Sequence, residues 1–286
     1  AGAGTGGLSA FTELQKTGIP VALCDGGPLG TTCARAGCMP TKALIEISHS
    51  ASKTQKLYKG RMLSTDTEPQ FHLTHIMKHV RNLRDHFTSS ILKQIDGCGD
   101  DFIHSHVHFK SPHLGLCEDG TQIEFESAVI ATGSSPIVPQ SFKDQPGVYT
   151  SDTLFDLNED ISSLDVIGGD SMGLELAQAF SHLGVDVTVY CEDLKFDFLP
   201  DEELTEIYLN LLKKEISFVP GFEVHHTGRG KHFQLEDKTR TYEACLLTLG
   251  RKPNLEILDP RELEHTLDES GIRIKNLPIY IVGDAN

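Results

Sequence analysis

Two cysteines, Cys33 and Cys38, stand five positions apart in the stretch GPLGTTCARAGCMPTKAL, residues 27–44. Two nearby thiols can cycle between dithiol and disulfide and so carry an electron pair. In a regular helix, positions five apart lie about 8–9 Å from each other at Cα, and a disulfide needs less than about 7 Å. A helical segment carrying both must therefore be distorted. Gly37 relaxes the backbone and Pro40 removes an N–H donor, so the means of distortion are present. A strained, accessible disulfide is readily reduced, which suits a catalyst better than a staple.

The rest of the composition fits that chemistry. The 286 residues hold 25 Lys plus Arg against 41 Asp plus Glu, a net charge of −16 that repels a phosphate backbone, so nucleic acid is not expected as a partner. No apolar run reaches the roughly 18 residues of a membrane helix, and no membrane partner is expected. The seven cysteines, Cys24, Cys33, Cys38, Cys98, Cys117, Cys191 and Cys245, are an odd, scattered set rather than a secreted disulfide framework. They point to a reducing, cytoplasmic setting in which a disulfide is catalytic.

Such thiols need elements to position them and a redox partner. Gly2, Gly4 and Gly7 form GxGxxG, followed by a helical stretch over residues 8–17 and an apolar strand, IPVALCD, ending at Asp25. The first glycine allows the tight turn, the second lets backbone approach a pyrophosphate and the third packs helix on strand; Asp25 suits a ribose hydroxyl. The pattern returns in LDVIGGDSMGLELAQAFSHLGVDVTVYCED, with its leading strand at residues 164–167. Gly168 and Gly173 match the outer glycines, but Asp170 takes the middle place. The acidic residue expected after the next strand falls on Cys191 by count, with Glu192 one place later. Asp170 can either face the pyrophosphate or turn outward to cap the helix.

Between the two motifs, Leu73, Ile76, Val80, Leu83, Phe87, Ile91 and Ile95 recur at helical spacing and predict a long amphipathic helix packed by its apolar stripe. Strand-like segments run from Phe102 to Ile130, with a hairpin turn at CEDG, and end in VIATGSSP. After the second motif the order repeats, with strands from Ile216 onward and then LLTLGRKPN. The chain reads as two βαβ-plus-meander modules, with IYIVGDAN as one more strand that returns to the first. His104, His106 and His108 are expected on one face of a strand. Ligands about 7 Å apart along a flat face do not close on one tetrahedral ion, so they are read as solvated and no metal site is expected.

LGTTCARAGCMPTKAL resembles the redox-active segment of the FAD-dependent pyridine nucleotide-disulfide oxidoreductases, in their dihydrolipoamide dehydrogenase-like branch. Gly2/Gly4/Gly7 with Asp25, the ATG of Ala131, Thr132 and Gly133, the altered motif at 168–173, LGRKPN and GDAN follow in that family's order. The resemblance covers essentially the whole chain. It implies an α/β fold of two Rossmann-like three-layer domains, the second inserted in the first. Residues 1–150 plus 272–286 would bind FAD, with the first strand missing, and residues 151–271 would bind NAD or NADP. Because the glycine motif opens at Gly2 and the chain closes on GDAN, the sequence reads as an internal piece of a longer protein. A C-terminal dimerisation domain, carrying a His–Glu acid/base pair, would lie beyond Asn286.

The resemblance also implies roles. Cys33 corresponds to the interchange thiol that meets the substrate and Cys38 to the charge-transfer thiol beside the flavin. Lys42 would sit by the flavin ring, paired with Glu175. Thr5, Thr31, Thr32, Val107, Ala131, Thr132, Gly133 and Asp284 join the FAD contacts, and Gly168, Gly173, Glu192 and Gly250 the NAD(P) contacts. The expected activity is electron transfer between NAD(P)H and a small-molecule or protein-bound dithiol/disulfide, by a homodimeric parent; this piece alone is expected to be inactive. The alternative is an FAD-binding thiol redox protein or sensor whose nicotinamide binding is weakened or lost.

Overall fold

The computed structural model describes residues 1–194, 198–221, 224–227, 230–235, 238–258 and 272–286. Its helices are α1 (Thr5–Gln15), α2 (Thr32–Arg35), α3 (Cys38–Lys59), α4 (Leu73–Asp96), α5 (Ser171–His182) and α6 (Glu202–Leu212). The first strands are β1 (Leu23–Cys24), β2 (Phe102–Ile103), β3 (Val107–Ser111), β4 (Leu114–Cys117), β5 (Gln122–Glu124), β6 (Ala128–Ile130), β7 (Ser134–Pro136) and β8 (Val148–Thr150). Then come β9 (Ser163–Ile167), β10 (Asp186–Cys191), β11 (Ser217–Pro220), β12 (Val224–His226), β13 (His232–Leu235), β14 (Lys238–Thr241), β15 (Ala244–Leu247), β16 (Arg251–Pro253) and β17 (Ile279–Ile281). The chain separates into two compact units: Ala1–Arg35, Asp85–Ser135 and Arg251–Asn286 form the first, and Ala36–Arg84 and Pro136–Gly250 the second. The domain boundary expected at residue 271 lies outside the described residues.

In the first unit β1 pairs in parallel with β2, and β6 with β17. The backbone of Ala1 and Gly2 joins the two pairs: Gly2 N–H donates to Cys24 O at 2.8 Å, and Ala131 N–H donates to Ala1 O at 2.7 Å. The tail strand thus returns to this unit, beside β6, where the sequence places it. On one face Leu8 and Phe11 of α1 pack with Leu23 and Ile95. On the other, the antiparallel meander β3–β4–β5 contributes Val107, Phe109 and Cys117 to a core with Ile130, Ile279 and Ile281.

Three local expectations shift here. The helix begins at Thr5, not Leu8, so the glycine turn runs directly into its first turn. The IPVALCD strand contracts to Leu23–Cys24, because Ile19 is left 53% exposed and Pro20 has no N–H for a ladder. His104 and His106 precede β3, so only His108 lies in a strand; all three are exposed while Ser105, Val107 and Phe109 are buried. Among the described residues, no group of three or more His, Cys, Asp or Glu is placed to hold a metal ion.

The second unit is built on a five-stranded, all-parallel sheet of order β11–β10–β9–β15–β8. Its strands alternate with period two. Leu164, Val166, Val187, Val189, Ala244 and Leu246 face one core, with Leu174, Ala177 and Phe180 of α5, Leu44 of α3 and Met77 and Val80 of α4. Ile167, Tyr190, Cys245 and Leu247 face the other, covered by Phe233 of β13 and Tyr242. Helices, parallel sheet and antiparallel meander therefore make three layers. Among the described residues no helix is long and apolar enough to cross a membrane.

One charge is buried under that meander. Asp165 is 1% exposed, and its Oδ1 accepts from Arg240 Nη2 of β14 at 3.2 Å. Burial raises the carboxyl above its ordinary range and Arg240 opposes the rise. Folding therefore takes up a proton at Asp165: its contribution to stability is greatest below the unfolded value and is lost as pH rises through the raised folded value. Arg240→Leu should cost about 2 kcal/mol at neutral pH, less than for a fully buried pair because the guanidinium is 43% exposed. Urea unfolding at acid and neutral pH should show a smaller loss in acid, and Asp165→Asn should cost less than Arg240→Leu at neutral pH. Equal losses at both pH values would contradict this account.

Candidate functional site

The geometry of the first unit begins with a turn in which backbone meets backbone. Gly2 adopts φ +96°, and a Cβ there would lie 2.3 Å from the Ala131 carbonyl oxygen. A Cβ on Gly7 would lie 1.7 Å from Gly2 O. Both positions exclude every other residue, which brings the N-terminus of α1 to the carboxyl ends of the parallel strands. Gly4, between them, has open space where a Cβ would point, and as the N-cap of α1 it makes no side-chain cap bond. This is a cradle with free first-turn N–H groups, and it fits a pyrophosphate. Thr5 is exposed at the first position of the helix.

Asp25 buttresses the turn: its Oδ2 accepts from Ala3 N–H at 2.6 Å and its Oδ1 from Gly27 N–H at 2.7 Å. Each oxygen keeps a further lone pair for a ribose hydroxyl. Ala131 is buried under Gly2, and Thr132 and Gly133 are held by a residue the sequence reading passed over. Asn254 N–H donates to Gly133 O at 2.9 Å, its Nδ2 donates to Thr132 O at 3.1 Å, and its backbone oxygen accepts from Thr132 Oγ1. Arg251 adds bonds to the Ser134 hydroxyl and carbonyl. The signal was the LGRKPN run itself, which supplies both residues. Asp284 is exposed just after β17, whose next residue, Val282, lies 3.5 Å from the Gly6 Cβ position. Val107 is buried at the start of the meander.

The thiol segment is not one helix. Thr31 is buried and its Oγ1 accepts from Ala34 N–H, capping the short α2, which carries exposed Thr32 and half-buried Cys33. The chain then breaks at Ala36–Gly37, where Gly37 takes φ −115°, ψ −122°, and the 22-residue α3 starts at Cys38. Pro40 falls in the first turn of α3, where a missing N–H costs nothing. Cys38 is exposed, whereas burial pushes the thiols of Cys24, Cys98, Cys117, Cys191 and Cys245 up. Cys24, Cys117, Cys191 and Cys245 are buried, and the half-buried Cys98 thiol donates to Gln94 O at 3.4 Å.

Within the second unit, Lys42 lies one turn beyond Cys38 on α3 and its Nζ meets Glu175 Oε2 of α5 at 2.7 Å. The pair lines a cavity of ≈ 220 Å³ with Ser48, His49 and Gln178. Burial, and secondarily the Glu175 charge, holds the Tyr208 phenol above its ordinary value. The second glycine turn repeats the first. Gly168 adopts φ +115° and its Cβ position lies 2.0 Å from Thr248 O, while that of Gly173 lies 2.4 Å from Thr248 Oγ1. Thr248, unremarked in the sequence reading, is the counterpart of Ala131, as Gly250, at φ +86°, is of Gly133. Asp170, however, caps α5: its Oδ1 accepts from Gly173 N–H at 2.6 Å. Glu192 is exposed just past β10.

The sequence profile described as pyridine nucleotide-disulphide oxidoreductase matches residues 1–286. The chain belongs to that family. Members of that family use FAD and NAD(P)H. Among relatives, the dihydrolipoyl dehydrogenase of Geobacillus stearothermophilus is 26% identical over 96% of this chain and 59% of its own length. That of Bacillus subtilis is 27% identical over 99% and 64%. The HOCl-induced flavoprotein disulfide reductase RclA of Escherichia coli, solved as a Cu(II) complex, superposes with a TM-score of 0.82 at 22% identity, covering 99% of this chain and 64% of that one. The chain thus spans about 60% of the length of the family members it matches.

The two outer and middle glycines of the family turn make opposite demands, which substitution separates. Gly7→Ala should cost about 3 kcal/mol or more, since the methyl meets backbone that cannot yield, while Gly4→Ala should cost about 1 kcal/mol or less through the weaker cap. Thermal unfolding of the two variants checks this; equal costs would contradict the packing.

Proposed function

We propose that the chain is the nucleotide-binding part of a flavoprotein disulfide oxidoreductase, in which the first unit takes FAD, the second unit takes NAD(P)H and Cys33 with Cys38 exchanges electrons with a dithiol/disulfide substrate. The observation that carries the reading is the open, uncapped Gly4 cradle at the N-terminus of α1, set between Ala131 and Asp25. FAD, when bound, supplies a two-electron link between the pyridine nucleotide and the thiols.

The chain's own residues do the rest. In the direction of disulfide reduction, the Cys33 thiolate attacks one sulfur of the substrate disulfide, forming a mixed disulfide and releasing one thiol. Cys38 then attacks the Cys33 sulfur, closing the Cys33–Cys38 bond and releasing the second thiol. Two electrons and two protons leave the protein pair, which two electrons from NAD(P)H and two protons restore. Lys42, held by Glu175, keeps positive charge where reduction adds negative charge. Dihydrolipoyl groups are the substrate class suggested by the relatives' names, with a homodimeric parent as the working assembly. A second reading, an FAD-binding thiol protein with weak nicotinamide binding, is favoured by the cap at Asp170.

Titration of the chain with FAD, followed by flavin fluorescence and circular dichroism, tests the reading. Gly4→Asp should keep the helical signal, because its Cβ enters open space, and should weaken FAD binding at least about tenfold by placing a carboxylate in the cradle. Two-electron reduction of the FAD-loaded wild-type chain should give a long-wavelength thiolate–flavin absorption; Cys33→Ser, which has no disulfide to reduce, should show it with the flavin oxidised and no reductant added, and Cys38→Ser should lack it. The reverse pattern would exchange the two thiols' roles, and undiminished FAD binding by Gly4→Asp would refute the cradle.

A further inference from the structure

The second unit repeats the backbone path of the first unit's glycine turn. The outer glycines pack against Thr248 as Gly2 and Gly7 pack against Ala131 and Gly2. The N-cap backbones follow nearly the same path, φ −77°, ψ −172° at Gly4 and φ −69°, ψ 162° at Asp170. Both are extended conformations open to any residue, so the difference lies in the side chain alone. At Gly4 no side chain claims the helix N–H groups, whereas at Asp170 a carboxylate accepts the Gly173 N–H at 2.6 Å.

A dinucleotide is held at such a turn by the first N–H groups of the helix and by its positive dipole end. Asp170 supplies an anion to that same place. An arriving pyrophosphate meets a donor already taken and a negative charge a few ångströms away, and Coulomb repulsion at that range is felt even through a high effective dielectric.

We propose that Asp170 is a built-in competitor for the pyrophosphate, which sets the affinity of the second unit for NAD(P)H at least about tenfold below that of the same unit with glycine there. The inference rests on the reading of the second unit as the pyridine nucleotide unit. It makes Asp170 an affinity-determining residue and gives the chain two unequal nucleotide sites, one open and one held shut by its own side chain. Nucleotide then binds only by displacing the carboxylate from the α5 N-terminus.

Calorimetric titration of NADH and of NADPH into the FAD-loaded wild-type chain, Asp170→Gly and Asp170→Asn tests it, at low and high ionic strength. Asp170→Gly should bind at least about tenfold tighter, equivalent to about 1.4 kcal/mol. Asp170→Asn, which keeps a good cap but drops the charge, should fall between, and the differences should shrink as salt rises. FAD affinity, assigned to the first unit, should be the same in all three and certifies their folding. Measurable binding that is equal in wild type and both variants would overturn the competitor while leaving the nucleotide reading in place. No binding by any of the three would overturn both.

Discussion

The structure depends on a contact that only glycine permits: the first residue of each nucleotide turn lies with its Cα against the carbonyl of a neighbouring strand, Gly2 on Ala131 and Gly168 on Thr248. Because that contact leaves no room for a Cβ, the chain leaving the strand must turn at once into a helix. The helix N-terminus is thereby fixed at the carboxyl ends of the parallel strands in both units. The apolar faces follow: Leu8 and Phe11 of α1, and Leu174, Ala177 and Phe180 of α5, are buried because the turn aims them at their sheets. The antiparallel meanders close the opposite faces, completing three layers in each unit.

Once the helix ends are so placed, their chemistry is decided by a single side chain. At Gly4 the first-turn donors of α1 are left for a ligand; at Asp170 the corresponding donor of α5 is satisfied internally. A cap stabilises its own helix by about 1 kcal/mol, so the second unit gains stability from the feature that lowers its affinity for an anion. The thiol segment shows a related economy: Gly37 breaks the helix so that α3 begins at Cys38, and Lys42, one turn on, is held by Glu175 of α5.

Much of this was legible in the sequence because it follows from spacing. The outer glycines, the β9 strand, the long helix from Leu73 and the hairpin at Cys117–Gly120 are all set by local pattern, and each stands where the residues put it. What escaped depends on the fold. The Asn254 and Arg251 bonds to Thr132, Gly133 and Ser134 join residues more than a hundred positions apart and leave no periodicity to read. The run from Ile19 to Val21 looks like strand by composition but lies at an unladdered approach, with Ile19 exposed. Whether Asp170 faced a ligand or its own helix was open in the sequence, since both follow from the same residue; the 2.6 Å bond to Gly173 N–H decides for the helix.

Two matching turns thus differ in whether their helix N-terminus is free for an anion. Amide hydrogen exchange of the chain, with and without saturating FAD and with NADH added, reads the two ends separately. FAD should slow exchange across Gly6, Gly7 and Leu8 of α1 and leave Met172, Gly173 and Leu174 of α5 unchanged, and NADH should slow exchange at those α5 amides in Asp170→Gly more than it does in the wild-type chain. Protection of α5 by NADH equal to that in Asp170→Gly, or no protection of α1 by FAD, would contradict it.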